Sequence, residues 1–147
     1  MGQPRHRSGV IYRDGKPVTH NGRVMTREFN SPESTSYRAV VQHRALLAMR
    51  ELCLNPFTGP VGVEIFAFRE CPKSQHKKRV PTPERRDTCK PDYDNLAKMI
   101  GDACNGVVYL DDSQITDARV IKRTAKQGEP ARVFVRFFEL TEEISDQ

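Results

Sequence analysis

A chain of 147 residues can bury the core of one ordinary domain without disulfides or a structural metal. A net charge of +5, with a pI near 9.2, favours polyanionic partners through counterion release. Cys53, Cys71, Cys89 and Cys104 form no C-x-x-C pair, which argues against a zinc site or a thioredoxin-like motif, and no window is apolar enough for a signal-peptide core or a membrane span. A cytoplasmic protein with reduced thiols, associated with no membrane, is expected.

In chain order, residues 1–31 read as turns and short extended pieces, because Gly2, Pro4, Gly9, Gly15, Pro17 and Gly22 interrupt every few positions. From Pro32 to Cys53 the period becomes that of a helix. Tyr37, Val40, Val41, Leu47, Ala48 and Leu52 are expected on its apolar side, with Arg38, Gln42, Arg50 and Glu51 opposite. The run Val61 to Arg69 is rich in β-branched and aromatic residues and predicts a strand, with Val63, Ile65 and Ala67 on one face and Phe66 and Phe68 on the other.

Residues 70–89 are charged and proline-containing, and read as a mobile basic loop. A second helix is expected to begin near Asp92 to Asp94, to bury Leu96, Met99, Ile100 and Ala103, and to stop at Asn105-Gly106. Val107 to Leu110 predicts a short strand. Residues 116–125 and 131–140 predict a terminal hairpin around Gln127-Gly128-Glu129-Pro130, with an acidic tail from about 141 to 147 that frays. The whole is one α/β (α+β) domain over residues 1–147, with a mixed sheet and two main helices.

Asp92 and Asp94 flank Tyr93, and Asp112 returns after one helix and one strand. Mg2+ prefers oxygen ligands and keeps several waters, so two or three converging carboxylates suit a metal that also touches phosphate. An extended i, i+2 pair would point to one face. A bare D-x-D is also common, and Asp92 or Asp94 could equally be a helix N-cap, with Asp111-Asp112 a solvated turn. Basic residues cluster at Arg5, His6 and Arg7 and again at Lys73, His76, Lys77, Lys78, Arg79, Arg85 and Arg86, where they are either solvated loop or DNA contacts.

Read together, KPDYDNLAKMIGDACNGVVYLDDSQI, Lys90 to Ile115, resembles the RusA family of phage and bacterial Holliday junction resolvases. The D-x-D-N-L-x-K helix start, the later helical aspartate, the N-G turn, the apolar stretch and the D-D-x-x-[IV] ending all stand in order. The resemblance implies metal-binding, catalytic roles for Asp92, Asp94 and Asp112, with Asp111 and Asp102 as further acidic neighbours that could also ligate the metal. It makes Lys98 the motif's lysine, which could touch the scissile phosphate or merely pair with Asp94 at i, i+4. Asn95 takes a supporting role. It also implies Mg2+, with Mn2+ as a substitute, four-way junction DNA as substrate, and a homodimer that makes paired nicks in recombination and repair. DNA contacts are expected from Arg5, Arg7, Lys73, Lys77, Lys78, Arg79, Arg85 and Arg86. In one departure, family members begin with a short strand, whereas Gly2-Gln3-Pro4 starts almost at once and leaves the first sheet edge open. Two competing readings are a non-catalytic junction or duplex binder and a phosphatase-like enzyme with an aspartyl nucleophile. Thr88 to Pro91 makes a poor lead strand for the latter.

Overall fold

The computed structural model describes residues 7–10, 12–13, 16–17, 19–20, 23–24, 26–29 and 32–141, with side chains described for Lys16 and from Ser36 to Thr141. The described residues of the punctuated N-terminal region lie in short extended pieces, as expected. Strand β1 (Arg7–Val10) pairs antiparallel with β6 (Thr26–Phe29), β2 (Tyr12–Arg13) with β3 (Lys16–Pro17), and β4 (Thr19–His20) with β5 (Arg23–Val24).

The main sheet is built around β7 (Val61–Arg69). Val61, Val63 and Ile65 alternate along its core face and are almost wholly buried, and a strand this apolar gains most from neighbours on both edges. β10 (Arg132–Glu139) pairs antiparallel on one side and β9 (Ile115–Thr124) parallel on the other, with the short β8 (Arg85–Arg86) beyond β9. The sheet order is therefore β10-β7-β9-β8, a mixed sheet. The expected terminal hairpin does not form: β9 and β10 lie on opposite sides of β7, and the turn between them crosses its end. Gly62 lets this packing close, because a Cβ there would overlap the Phe138 ring on the adjoining strand.

Helix α1 (Pro32–Glu51) matches its predicted span, and its predicted stripe holds at Tyr37 and Val41 but not elsewhere. Tyr37, Val41, Ala45 and Met49, spaced four apart, pack on the core, whereas Val40, Leu47, Ala48 and Leu52 are exposed. Apolar residues surround this helix, so periodicity alone did not single out the inward row. Burial raises the pKa of Tyr37. Helix α2 (Tyr93–Cys104) agrees with its expectation, burying Leu96, Met99, Ile100, Ala103 and Cys104. The segment Val107 to Leu110 is a turn rather than a strand. The Val107 and Val108 amides both donate to the Cys104 carbonyl, Gly106 takes φ +75°, and only an isolated bridge ties Tyr109 to Phe57. Tyr109 is fully buried. Its hydroxyl donates to the Gly101 carbonyl at 2.7 Å, and its ring rests 5.7 Å from that of Phe137.

The segment expected to be mobile is tied down. A 3-10 turn covers Lys73–Gln75, and the Gln127 side-chain carbonyl accepts from the Lys77 and Thr82 amides at 2.8 and 3.1 Å while its amide donates to the Lys77 carbonyl. Thr82 is buried and donates to the Gln75 carbonyl at 2.6 Å. Polar composition hid these bonds because their partners come from the distant β9–β10 connection. Among the described residues no helix is long and apolar enough to cross a membrane.

Candidate functional site

The acidic motif lies where the chain leaves β8 and enters α2. Asp92 occupies the N-cap position with extended backbone (φ −68°, ψ 155°), yet its side chain makes no capping bond. Among the described residues the carboxylates of Asp92 and Asp94 have no hydrogen-bond or ion-pair partner, and both residues are exposed. The capping explanation for Asp92 is thereby removed. The expectation that both side chains share one extended face fails, because the helix has already begun at Tyr93 and only Asp92 is extended.

Lys98 is exposed and forms no ion pair with Asp94, so the pairing that would have made it ordinary is absent among the described residues. Asn95 is half-buried, and its amide likewise has no partner there. Asp111 behaves differently. Its carboxylate accepts from the Ser113 amide at 2.8 Å in a reciprocal cap with Gln114 at the start of the 3-10 turn Asp112–Gln114, and bonds from Ser113 hold its pKa below the usual range. Asp112 is exposed, and Asp102 is half-buried with its carbonyl accepting from Arg38 at 3.0 Å. Burial pushes the Tyr109 hydroxyl's pKa far up, with smaller contributions from Cys104, Asp112 and Asp102.

Among the described residues no three His, Cys, Asp or Glu side chains come together as a ready-made metal cage. Asp92, Asp94 and Asp112 form no such group among the described residues. What does fit Mg2+ is the donor chemistry, since that ion needs only one or two carboxylates and completes its octahedron with water and phosphate. Asp92 and Asp94, without partners among the described residues, are oxygen donors of this kind.

A cleft of about 560 Å³ adjoins Asp92 and Asn95. The approach to it is strapped down by residues the sequence did not single out. Arg69 at the end of β7 donates from Nε and Nη2 to Asp87 at 2.9 and 3.0 Å, and the Asp87 side chain is only 4% exposed. Asp87 Oδ1 also accepts from the Cys89 amide at 3.1 Å, the Asp87 amide donates to the Lys122 carbonyl at 3.1 Å, and Lys122 Nζ donates to the Cys89 carbonyl. Residues 87–89 are thereby held against β7 and β9 just ahead of the cis Lys90-Pro91 bond and Asp92. No local spacing links Arg69 to Asp87, so only the strand pairing could have found them.

The basic residues are also placed. Lys73, Lys77, Lys78, Arg79 and Arg86 are exposed and form no ion pair among the described residues. Arg85 is half-buried and bonded to Gln75, so it serves the loop itself. Arg7 opens β1, and Arg5 and His6 lie outside the described residues.

The family model for endodeoxyribonuclease RusA matches residues 14–137. A protein of Bacillus subtilis (strain 168), called uncharacterized protein YqaN, is 37% identical over 107 residues, which cover 69% of this chain and 72% of that one. The family match includes the entire motif from Lys90 to Ile115 together with β7, β9 and α1. Taken with the carboxylates at the entrance of α2 that have no partner among the described residues, it leads to one conclusion: the chain belongs to the RusA family of endodeoxyribonucleases.

Proposed function

We propose that the protein is a Mg2+-dependent, structure-selective endonuclease that resolves four-way DNA junctions by paired nicks, acting as a homodimer in the cytoplasm during recombination and repair. The observation that carries this reading is the pair of exposed carboxylates of Asp92 and Asp94 inside the family's D-x-D-N-L-x-K run, which, like Lys98 one turn on, have no partner among the described residues.

Asp92 and Asp94, with Asp112 completing the set, would hold the metal, and Mn2+ would substitute. When bound, the ion supplies neutralisation of the non-bridging phosphate oxygens and a more acidic water for in-line attack. Lys98 adds fixed positive charge where negative charge develops on the phosphate. Asp111 shapes the turn that presents Asp112. Lys73, Lys77, Lys78, Arg79 and Arg86 hold the DNA arms by their phosphates, a role in which exposure without competing ion pairs is required. Two nicks need two sites, and the exposed Val40, Leu47 and Leu52 of α1 supply apolar area that a second copy would cover.

A second reading, a junction binder that does not cut, is favoured by the lack of a preformed metal cage among the described residues. Incubating synthetic four-way junctions with and without Mg2+ separates the two. Symmetric nicks from the wild type, and binding without nicks from Asp94→Asn, support the nuclease. Tight binding with no nick at any metal concentration supports the binder.

A further inference from the structure

We propose that the cleft beside Asp92 accepts a single unstacked nucleobase of the strand being cut, and that this contact sets base preference at the cut; the inference rests on the nuclease reading of the same site. At about 560 Å³ the cleft falls within the span of roughly 300–1,000 Å³ common for small-molecule sites, so a duplex is excluded and one base fits.

Its lining distinguishes a base from a phosphate. Ala67, Phe68, Leu96 and Val133 supply apolar wall. Phe68 is braced by the Arg132 guanidinium, 4.3 Å from its ring centroid, and by the edge of Phe134, whose ring centroid lies 6.1 Å away. The charged groups cancel, with Arg69, Lys90 and Lys122 facing Glu70, Asp87 and Asp92. Two of those cations are already engaged, Arg69 with Asp87 and Lys122 with the Cys89 carbonyl. A phosphate site would keep its cations free to make charge-assisted bonds. A neutral, mostly apolar slot suits a flat aromatic ring instead.

Asn95 supplies the polar contact. Its amide lines the cleft and has no partner among the described residues, and an amide offers the adjacent donor and acceptor that a base edge can match. Asp92 lines the same cleft, so a base seated there belongs to a nucleotide close to the phosphate that the carboxylates handle. At a junction centre, where stacking is interrupted, drawing out one base costs less than it does in a duplex.

Ala131 lines the cleft from an exposed position, so Ala131→Leu narrows the slot without entering the core. Four-way junctions carrying 2-aminopurine at single positions around the cut are bound in Ca2+ and read by fluorescence, and the same junctions with one abasic site at each position are cut in Mg2+. The expected result is a fluorescence change at one position with the wild type that Ala131→Leu removes. An abasic site at that position should slow wild-type cutting about tenfold, and Ala131→Leu should slow the intact junction similarly and the abasic one no further. Junction affinity should stay within about twofold. Equal fluorescence changes in both proteins, or additive slowing, overturn the pocket. A fluorescence change without any cutting overturns the nuclease reading and leaves the pocket intact; cutting without a change at any position overturns the pocket alone.

Discussion

Arg69 and Asp87 face each other in a two-bond charged bridge, and Asp87 sits five residues before Asp92. Arg69's bonds hold the Asp87 carboxyl below the usual carboxylate range, and the aspartate is nearly inaccessible to solvent. Asp87→Asn should cost about 2 kcal/mol, a figure reduced because the Arg69 side chain is one-third exposed. Since the folded pKa lies below the unfolded value of about 3.9, this stabilisation is fully present above that value and disappears as pH falls through the folded one. Urea unfolding of wild type and Asp87→Asn should therefore differ by a constant amount from about pH 5 upward and converge below about pH 4. A gap that persists unchanged in acid would mean that the bridge contributes little.

Gln127 ties the basic segment to the β9–β10 connection through three side-chain bonds to Lys77 and Thr82. Gln127→Ala should leave the sheet folded but speed amide exchange at Lys77 and Thr82. Replacing Lys77 and Lys78 together with alanine should lower the salt-dependence slope of junction binding by about 2, at roughly 0.9 for each phosphate no longer neutralised. Binding titrations across salt concentrations check this, and an unchanged slope would remove these lysines from the DNA interface.

The thiols divide by burial. Cys53 and Cys89 are exposed, whereas Cys71 and Cys104 are buried, and burial pushes Cys104 up to about 11. A thiol-reactive dye at neutral pH should label Cys53 and Cys89 quickly and reach Cys71 and Cys104 only after unfolding. Rapid native labelling of Cys104 would contradict the core packing around α2.

If α1 meets a second copy, a charge on its exposed apolar positions should break that association without disturbing the fold. Val40→Glu with Leu52→Glu should shift light-scattering mass from dimer to monomer and replace paired nicks with uncoordinated single ones. A variant that stays dimeric would place the interface elsewhere.

Where one chemical rule dominated, the residues themselves announced the structure. The α2 stripe Leu96, Met99, Ile100 and Ala103 and the stop at Asn105-Gly106 follow from periodicity and a C-terminal glycine, and both are found. β7 was legible from its β-branched alternation. What escaped depends on distant partners. β9 and β10 looked like a hairpin because they are adjacent in sequence, yet the more apolar β7 takes the place between them. The basic loop looked mobile because Gln127, which orders it, lies some 50 residues on. At the site, the motif singled out Asp92, Asp94 and Lys98 as candidates, whereas the Arg69–Asp87 strap and the adjoining cleft emerge only once β7, β9 and α2 are assembled.

The carboxylates of Asp92 and Asp94 stand at the entrance of α2, exposed and without partners among the described residues. The most direct test measures single-turnover cleavage of a four-way junction in Mg2+ by wild type, Asp92→Asn and Asp94→Asn, with junction binding measured in parallel. A drop of at least about a thousandfold in cutting, roughly 4 kcal/mol of transition-state stabilisation, with binding kept, is the predicted result. Wild-type cutting by either variant would contradict it.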